Sequence, residues 1–148
     1  MNGDIAARIR IFAYDHLVER GIPPTIAEIA GHLSLADEDA RERVASLKIG
    51  KTILVHPSTG EIWMAGPFSA LPTQYRVTGS RTSWWANCAW DMLGIPMIAA
   101  ESVRIETHCT DCGDPWTLTA TTHSPPAQEG VVHFLLPARK WYEDIGFT

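Results

Sequence analysis

The stretch Thr82-Ser83-Trp84-Trp85-Ala86-Asn87-Cys88-Ala89-Trp90-Asp91-Met92-Leu93-Gly94-Ile95-Pro96 holds the densest chemistry of the chain, and the rest reads as scaffold around it. Thr82 or Ser83 can cap a helix, the following residues can continue it, and Gly94 with Pro96 can end it. On that reading Cys88 and Asp91, three residues apart, share one face of a short helix. A thiol beside a carboxyl is a nucleophile or soft-metal ligand next to a proton carrier. Trp84, Trp85 and Trp90 in the same helix would keep water away from the pair. The residues alone leave a plainer alternative open, with Cys88 as a small buried hydrophobe and Asp91 as a solvated or capping side chain.

Outward toward the N-terminus, Gln74 to Thr78 is strand-like, and Gly66-Pro67-Phe68-Ser69-Ala70-Leu71-Pro72 is a boundary, because Gly and two prolines interrupt regular structure. Residues 1–65 form a first unit, 66–72 a linker and 73–148 a second unit. Apolar residues Ile5, Ile9, Phe12, Ala13, Leu17 and Val18 recur at helical spacing from Asp4 to Arg20, and Gly21 follows as a stop. Thr25 with Glu28 is a reciprocal capping pattern for a helix over Ile26 to Leu33. Asp37, Glu38 and Asp39 open a third helix over Ala36 to Leu47, where the helix dipole favours acids. Thr52 to His56 and Glu61 to Met64 are β-rich runs joined by Pro57-Ser58-Thr59-Gly60, a turn by composition.

Three helices and a hairpin resemble a winged helix-turn-helix, an arrangement that often reads DNA through its third helix. Residues 1–65, however, hold nine Asp and Glu against seven Lys and Arg, and the would-be recognition helix opens with three acids. The basic footprint of a groove binder is missing. The alternative is a helical unit that packs on the second unit and covers a site.

Outward toward the C-terminus, Ser102 to His108 and Trp116 to Thr122 alternate like strands around a turn over Cys109 to Pro115. Ser124 to Gly130 is a loop. Val131 to Leu136 is a compact apolar strand whose open edge would invite a homodimer. Pro137 begins a short helical segment through Trp141 and Tyr142 to Ile145. The fold class is therefore α+β, a three-helix winged-helix-like unit followed by a small mixed β-sheet unit with a Cys-bearing helix.

Length and composition bound the rest. A chain of 148 residues with 45% hydrophobic and 20% charged content is that of a folded globular protein. No apolar run approaches a membrane span, and the first residues open an amphipathic segment, so the chain reads as cytoplasmic with no membrane partner. Three cysteines suit a reducing compartment better than a disulfide scaffold. A formal charge of −5 argues against nucleic acid as the main partner.

His108, Cys109 and Cys112 look like half a zinc knuckle, but a closed structural site needs four ligands. A redox Cys-x-x-Cys is a second option, and a plain β-turn a third. His133 in its apolar run reads as structural, and His16, His32, His56 and His123 form no cluster. No phosphate-cradling glycine loop, Gly-x-Ser-x-Gly elbow or His-Glu-x-x-His helix occurs.

With these residues in view, the sequence resembles the alkylmercury lyase (organomercurial lyase) family. The resemblance runs through both halves and is most specific in Trp85-Ala86-Asn87-Cys88-Ala89-Trp90-Asp91, followed by His108-Cys109 and by Val132 to Pro137. It implies cleavage of a carbon–mercury bond by protonation, in which thiolates grip the mercury and an aspartate passes a proton to the departing carbon. By position, Cys88 is the catalytic and metal-binding thiolate, Asp91 the proton carrier and Cys109 a structural cysteine. The implied partner is a small organomercurial or another soft-metal ligand. There is no cofactor; mercuric ion is the bound product, and small thiols are needed for its release. The family's second mercury-binding cysteine is expected shortly after residues 141–148, where this sequence stops, so the expectation is a truncated or shortened relative. The competing expectation is a winged-helix, thiol- or metal-responsive regulator without catalysis.

Overall fold

The structure, a computed structural model, describes residues 2–146 apart from Pro125 and Gln128. Helix α1 (Asn2–Arg20) buries Ile9, Ala13 and Leu17, a stride of four that lays one stripe against the core. It stops at Gly21, whose N–H reaches the Leu17 carbonyl at 2.8 Å. Gly21 has φ +78° and presses against the Ser83 carbonyl, so a side chain there would be both strained and obstructed.

Helix α2 (Ile26–Leu33) carries the expected capping box, with the Thr25 N–H donating to Glu28 Oε2 at 2.8 Å and the Glu28 N–H donating to Thr25 Oγ1 at 3.2 Å. Helix α3 (Asp37–Ser46) buries only Ala40 and Val44 and keeps its acidic first turn. A 3₁₀ turn over Leu47–Gly50 leads into the sheet.

That sheet has seven strands: β1 (Ile53–Val55), β2 (Ile62–Ala65), β3 (Phe68–Ser69), β4 (Arg76–Thr78), β5 (Ser83–Ala86), β6 (Val103–His108) and β7 (Pro115–Ala120), in the order β1-β2-β3-β5-β4-β6-β7. Every pairing is antiparallel. The α+β class holds, while the expected mixed sheet is a purely antiparallel one. Strands β1–β2, β2–β3, β4–β5 and β6–β7 are joined by short connections, which only antiparallel pairs allow. Residues 66–72 carry β3, which pairs with both β2 and β5, so a single sheet runs from the first half of the chain into the second.

The main correction falls on residues 82–90. Trp84 and Trp85 lie in β5, a central strand, and helix α4 (Asp91–Ala99) begins only at Asp91. Pairing on both sides explains this: Trp84 faces Val77 and Ser83 faces Thr78 on β4, while Ala86 faces Phe68 on β3. Trp84 and Ala86 are buried and Ser83 and Trp85 only half-buried, which is the period-two pattern of a strand. Cys88 is thus not helix-borne; it sits in the turn between β5 and α4. Pro96 lies inside α4, which ends instead at Ala100 in a left-handed conformation, φ 55°.

Residues 131–136 form no strand, and Val131 is 93% exposed. The edges of the sheet are β1 and β7, which removes the premise for a dimer built on 131–136. Beyond Pro137, among the described residues, only a 3₁₀ turn, Ala138–Lys140, is regular. Of the expected loop 124–130, Pro125 and Gln128 lie outside the described residues, as do Phe147 and Thr148 of the final segment.

The core joins α1 to the sheet. Trp84 is 1% exposed, its ring lies 6.3 Å from that of Phe68, and its Nε1–H donates to the Leu17 carbonyl at 2.8 Å. A buried indole needs such a partner. This bond fixes the end of α1 to β5, and β5 aims the residues that follow it.

Candidate active site

The chain leaves β5 held by two tethers. Thr73 Oγ1 donates to the Ala86 carbonyl at 2.7 Å, and the Asn87 N–H donates to the Pro67 carbonyl at 3.1 Å. The Met92 N–H then reaches back to the Cys88 carbonyl at 3.1 Å, which starts α4. The result keeps the expected partnership by a different route: Cys88 and Asp91 face each other across a strand-to-helix turn. The Cys88 sulfur lies beside the Asp91 carboxyl and close to the backbone N–H groups of Trp90 and Asp91.

Burial dominates the electrostatics. It raises the Asp91 pKa above the usual carboxylate value, while hydrogen bonds from Asn87 and Cys88 pull it back in part. Burial likewise raises the Cys88 pKa, with the Asp91 charge adding to the rise and the two N–H groups opposing it. Both groups therefore hold their protons more firmly than in water. When a soft cation takes the Cys88 sulfur, the adjacent Asp91 carboxyl, made more basic by burial, is placed to receive the thiol proton and pass it on.

Two further side chains escaped the sequence reading. Asn87 lies beside Asp91 and favours its charged form, and the Asn87 Oδ1 is buried without a hydrogen-bond partner among the described residues. Tyr14, far away in sequence on α1, donates to the Gly66 carbonyl at 2.7 Å. Its pKa is raised by burial, with Arg10 opposing and the Asp91 charge adding to the rise, which places α1 beside the site. Asn87 carried a signal in its position next to Cys88. Tyr14 carried none, since only the tertiary fold brings residue 14 to residue 91.

Cys88, Asp91 and Asn87 line a cavity of about 370 Å³. Its opposite walls come from Leu54 and Trp63 on the β1–β2 hairpin and from Phe134 and Trp141 on the C-terminal segment. Phe134 and Trp141 pack with ring centroids 4.8 Å apart, and Lys51 Nζ lies 4.3 Å above the Tyr142 ring, so that segment folds back over the hairpin. The apolar lining is thus mostly not the one expected. Trp84 belongs to the core, Trp85 stacks under Arg76 at 4.5 Å, and Trp90, at the cavity rim, is 64% exposed.

The remaining cysteines occupy the β6–β7 turn, as their sequence suggested. The turn is closed by Cys109 N–H to Asp114 O at 2.8 Å and Gly113 N–H to Cys109 O at 2.9 Å. Hydrogen bonds from the backbone N–H groups of Cys112 and Asp111 and from the Cys112 thiol lower the Cys109 pKa. All three thiols are free. No three His, Cys, Asp or Glu side chains converge as a metal site among the described residues, so the half zinc knuckle finds no completing ligands there. His16 bonds the Ile22 carbonyl at 2.8 Å, His32 stacks on Phe12 at 4.0 Å and His56 meets Trp63 edge-on, all structural placements.

A strand-to-helix turn presenting thiol and carboxyl to an apolar cavity is the setting expected for soft-metal chemistry with proton transfer. Comparison with family models matches residues 68–147 to MerB, alkylmercury lyase, and the chain belongs to that family. Among solved structures it is similar to the mercury-bound form of MerB2, with a TM-score of 0.63 and 17% identity over 84% of this chain and 60% of that one. At that identity the likeness describes the fold, and the chain spans about 60% of that protein's length. Comparison with curated proteins finds no match.

Proposed function

We propose that this chain is an organomercurial lyase that breaks carbon–mercury bonds by protonation, with Cys88 as the mercury-binding thiolate and Asp91 as the proton donor. The observation that carries this reading is the Cys88–Asp91 pair, side by side in one turn, both open to one cavity, with burial raising both pKa values. An organomercury cation entering that cavity bonds to the Cys88 sulfur as the thiol proton passes to the Asp91 carboxylate. Soft sulfur suits a soft metal, and its electron donation enriches the attached carbon. Asp91 then transfers its proton to that carbon as the carbon–mercury bond breaks, and the hydrocarbon departs. Mercuric ion remains on Cys88, a small thiol from solution supplies the second sulfur, and thiol exchange completes release. No cofactor enters these steps.

The family assignment supports this chemistry, and so does the lining of the site by the β1–β2 hairpin. In this reading the winged-helix-like unit of residues 1–65 covers the site of residues 73–148. The acidic first turn of α3 speaks against a duplex partner. No helix among the described residues is long and apolar enough to cross a membrane. Three free thiols fit a reducing compartment such as the cytoplasm.

The test is to incubate the protein with an aryl- or alkylmercury salt and excess small thiol, then measure the released hydrocarbon. The parent releases it over many turnovers, and Cys88→Ala releases none above background. Equal release by both would overturn the proposal. Retention of the organomercurial by the parent with no hydrocarbon formed would make the chain a soft-metal binding protein instead.

A further inference from the structure

A second sulfur arrangement lies outside the Cys88 site. Cys109 and Cys112 stand three residues apart in the β6–β7 turn, which the Cys109 N–H to Asp114 O and Gly113 N–H to Cys109 O bonds hold closed, and both are free. Cys112 is exposed and Cys109 half-exposed, so a solute reaches them directly. The turn is also adjacent to the catalytic side of the molecule. Thr110 and Asp111, the residues between the two cysteines, share a second cavity of about 430 Å³ with Cys88, and Phe134 lines both this cavity and the first.

Hard and borderline cations ask for more ligands than this turn offers, because no third His, Cys, Asp or Glu converges with the pair among the described residues. A soft cation that is content with two thiolates asks for no more. A three-residue separation within one tight, hydrogen-bonded turn, completed by Gly113 at φ +78°, puts the two sulfurs within reach of one ion.

We propose that Cys109 and Cys112 form a dithiol site for a soft, two-coordinate cation, mercuric ion above all, which receives the product ion that leaves Cys88. Binding forms two sulfur–mercury bonds and releases two thiol protons to solvent, with no change of oxidation state. In the transfer the Cys88 sulfur–mercury bond breaks and Cys88 takes up a proton. The ion's remaining bond, to the small thiol, is exchanged in the same way. The transfer role rests on the lyase reading; the binding site itself does not.

The experiment separates the two by working in full-length Cys88→Ser, which lacks the catalytic sulfur. Mercuric chloride is titrated into the reduced protein with a small monothiol as competitor, and bound ion is counted by native mass spectrometry and by ultraviolet thiolate–mercury absorption. Cys88→Ser retains one ion against the competitor. Adding Cys112→Ser, or in a separate variant Cys109→Ser, weakens retention by about 100-fold or more, because the second thiol no longer binds within the same molecule. Circular dichroism of the exposed Cys112→Ser variant reports that the fold is intact. Retention unchanged by either added substitution, or no retention by Cys88→Ser itself, would overturn the dithiol site. Hydrocarbon release by the parent is scored separately, so loss of the lyase reading and loss of this site give different results.

Discussion

Cys88-x-x-Asp91 and Cys109-x-x-Cys112 are two turns with the same spacing and opposite chemistry. In each, a cysteine meets a side chain three residues on, and backbone N–H groups of the turn point at its sulfur. At residue 88 burial outweighs those N–H groups and the thiol pKa rises. At residue 109, in an open hairpin turn, the same kind of donor prevails and the pKa falls. The same spacing therefore gives a guarded thiol with a carboxyl neighbour in one place and a more acidic, accessible thiol in the other. Tertiary burial, more than motif, decides which turn stores protons and which one offers sulfur.

The comparison breaks most visibly if the two turns exchange roles. Cys88→Ala should reduce hydrocarbon release to background, whereas Cys112→Ser should leave a single turnover unchanged in rate. Asp91→Asn should slow release by about 10²–10⁴-fold, the range over which a positioned acid contributes. Reactivity toward iodoacetamide at neutral pH should run the other way. Peptide mapping should find Cys109 alkylated at least about tenfold faster than Cys88, because the thiolate is the reactive form.

The smallest effect belongs to Asn87. Catalysis needs the Asp91 carboxylate to receive the thiol proton, so the rate should fall as pH drops through the raised Asp91 pKa. The Asn87 amide favours the charged carboxylate, and removing it raises that pKa further. In Asn87→Ala the acid-side fall should therefore move to higher pH, and a fall at lower pH would contradict this arrangement.

Much of the fold was legible because its signals are local. Thr25 and Glu28 lie within one turn of each other, and the stride of Ile9, Ala13 and Leu17 is a property of one segment. Ser83 to Ala86 was misread because a capping residue followed by two tryptophans is ambiguous between helix and strand, and the pairing that decides it comes from Phe68 and Val77. Val131 to Leu136 was misread for the converse reason. An apolar run reads as a strand, but with no neighbour to pair with it forms none. At the site, Cys88 and Asp91 stood out because a three-residue separation brings side chains together in a turn as well as along a helix. Their shared cavity was not legible, since Leu54, Trp63 and Trp141 reach it only through the sheet and the returning C-terminal segment.

The division of labour within the buried turn is tested most directly by trapping its intermediate. Asp91→Asn is mixed with one equivalent of an organomercurial, and the protein is examined by mass spectrometry with peptide mapping. The variant should accumulate Cys88 carrying mercury with its organic group still attached, while the parent treated alike carries mercury alone and has released the hydrocarbon. Hydrocarbon released by Asp91→Asn at the parent's rate, or an intact adduct absent from Cys88, would contradict the account.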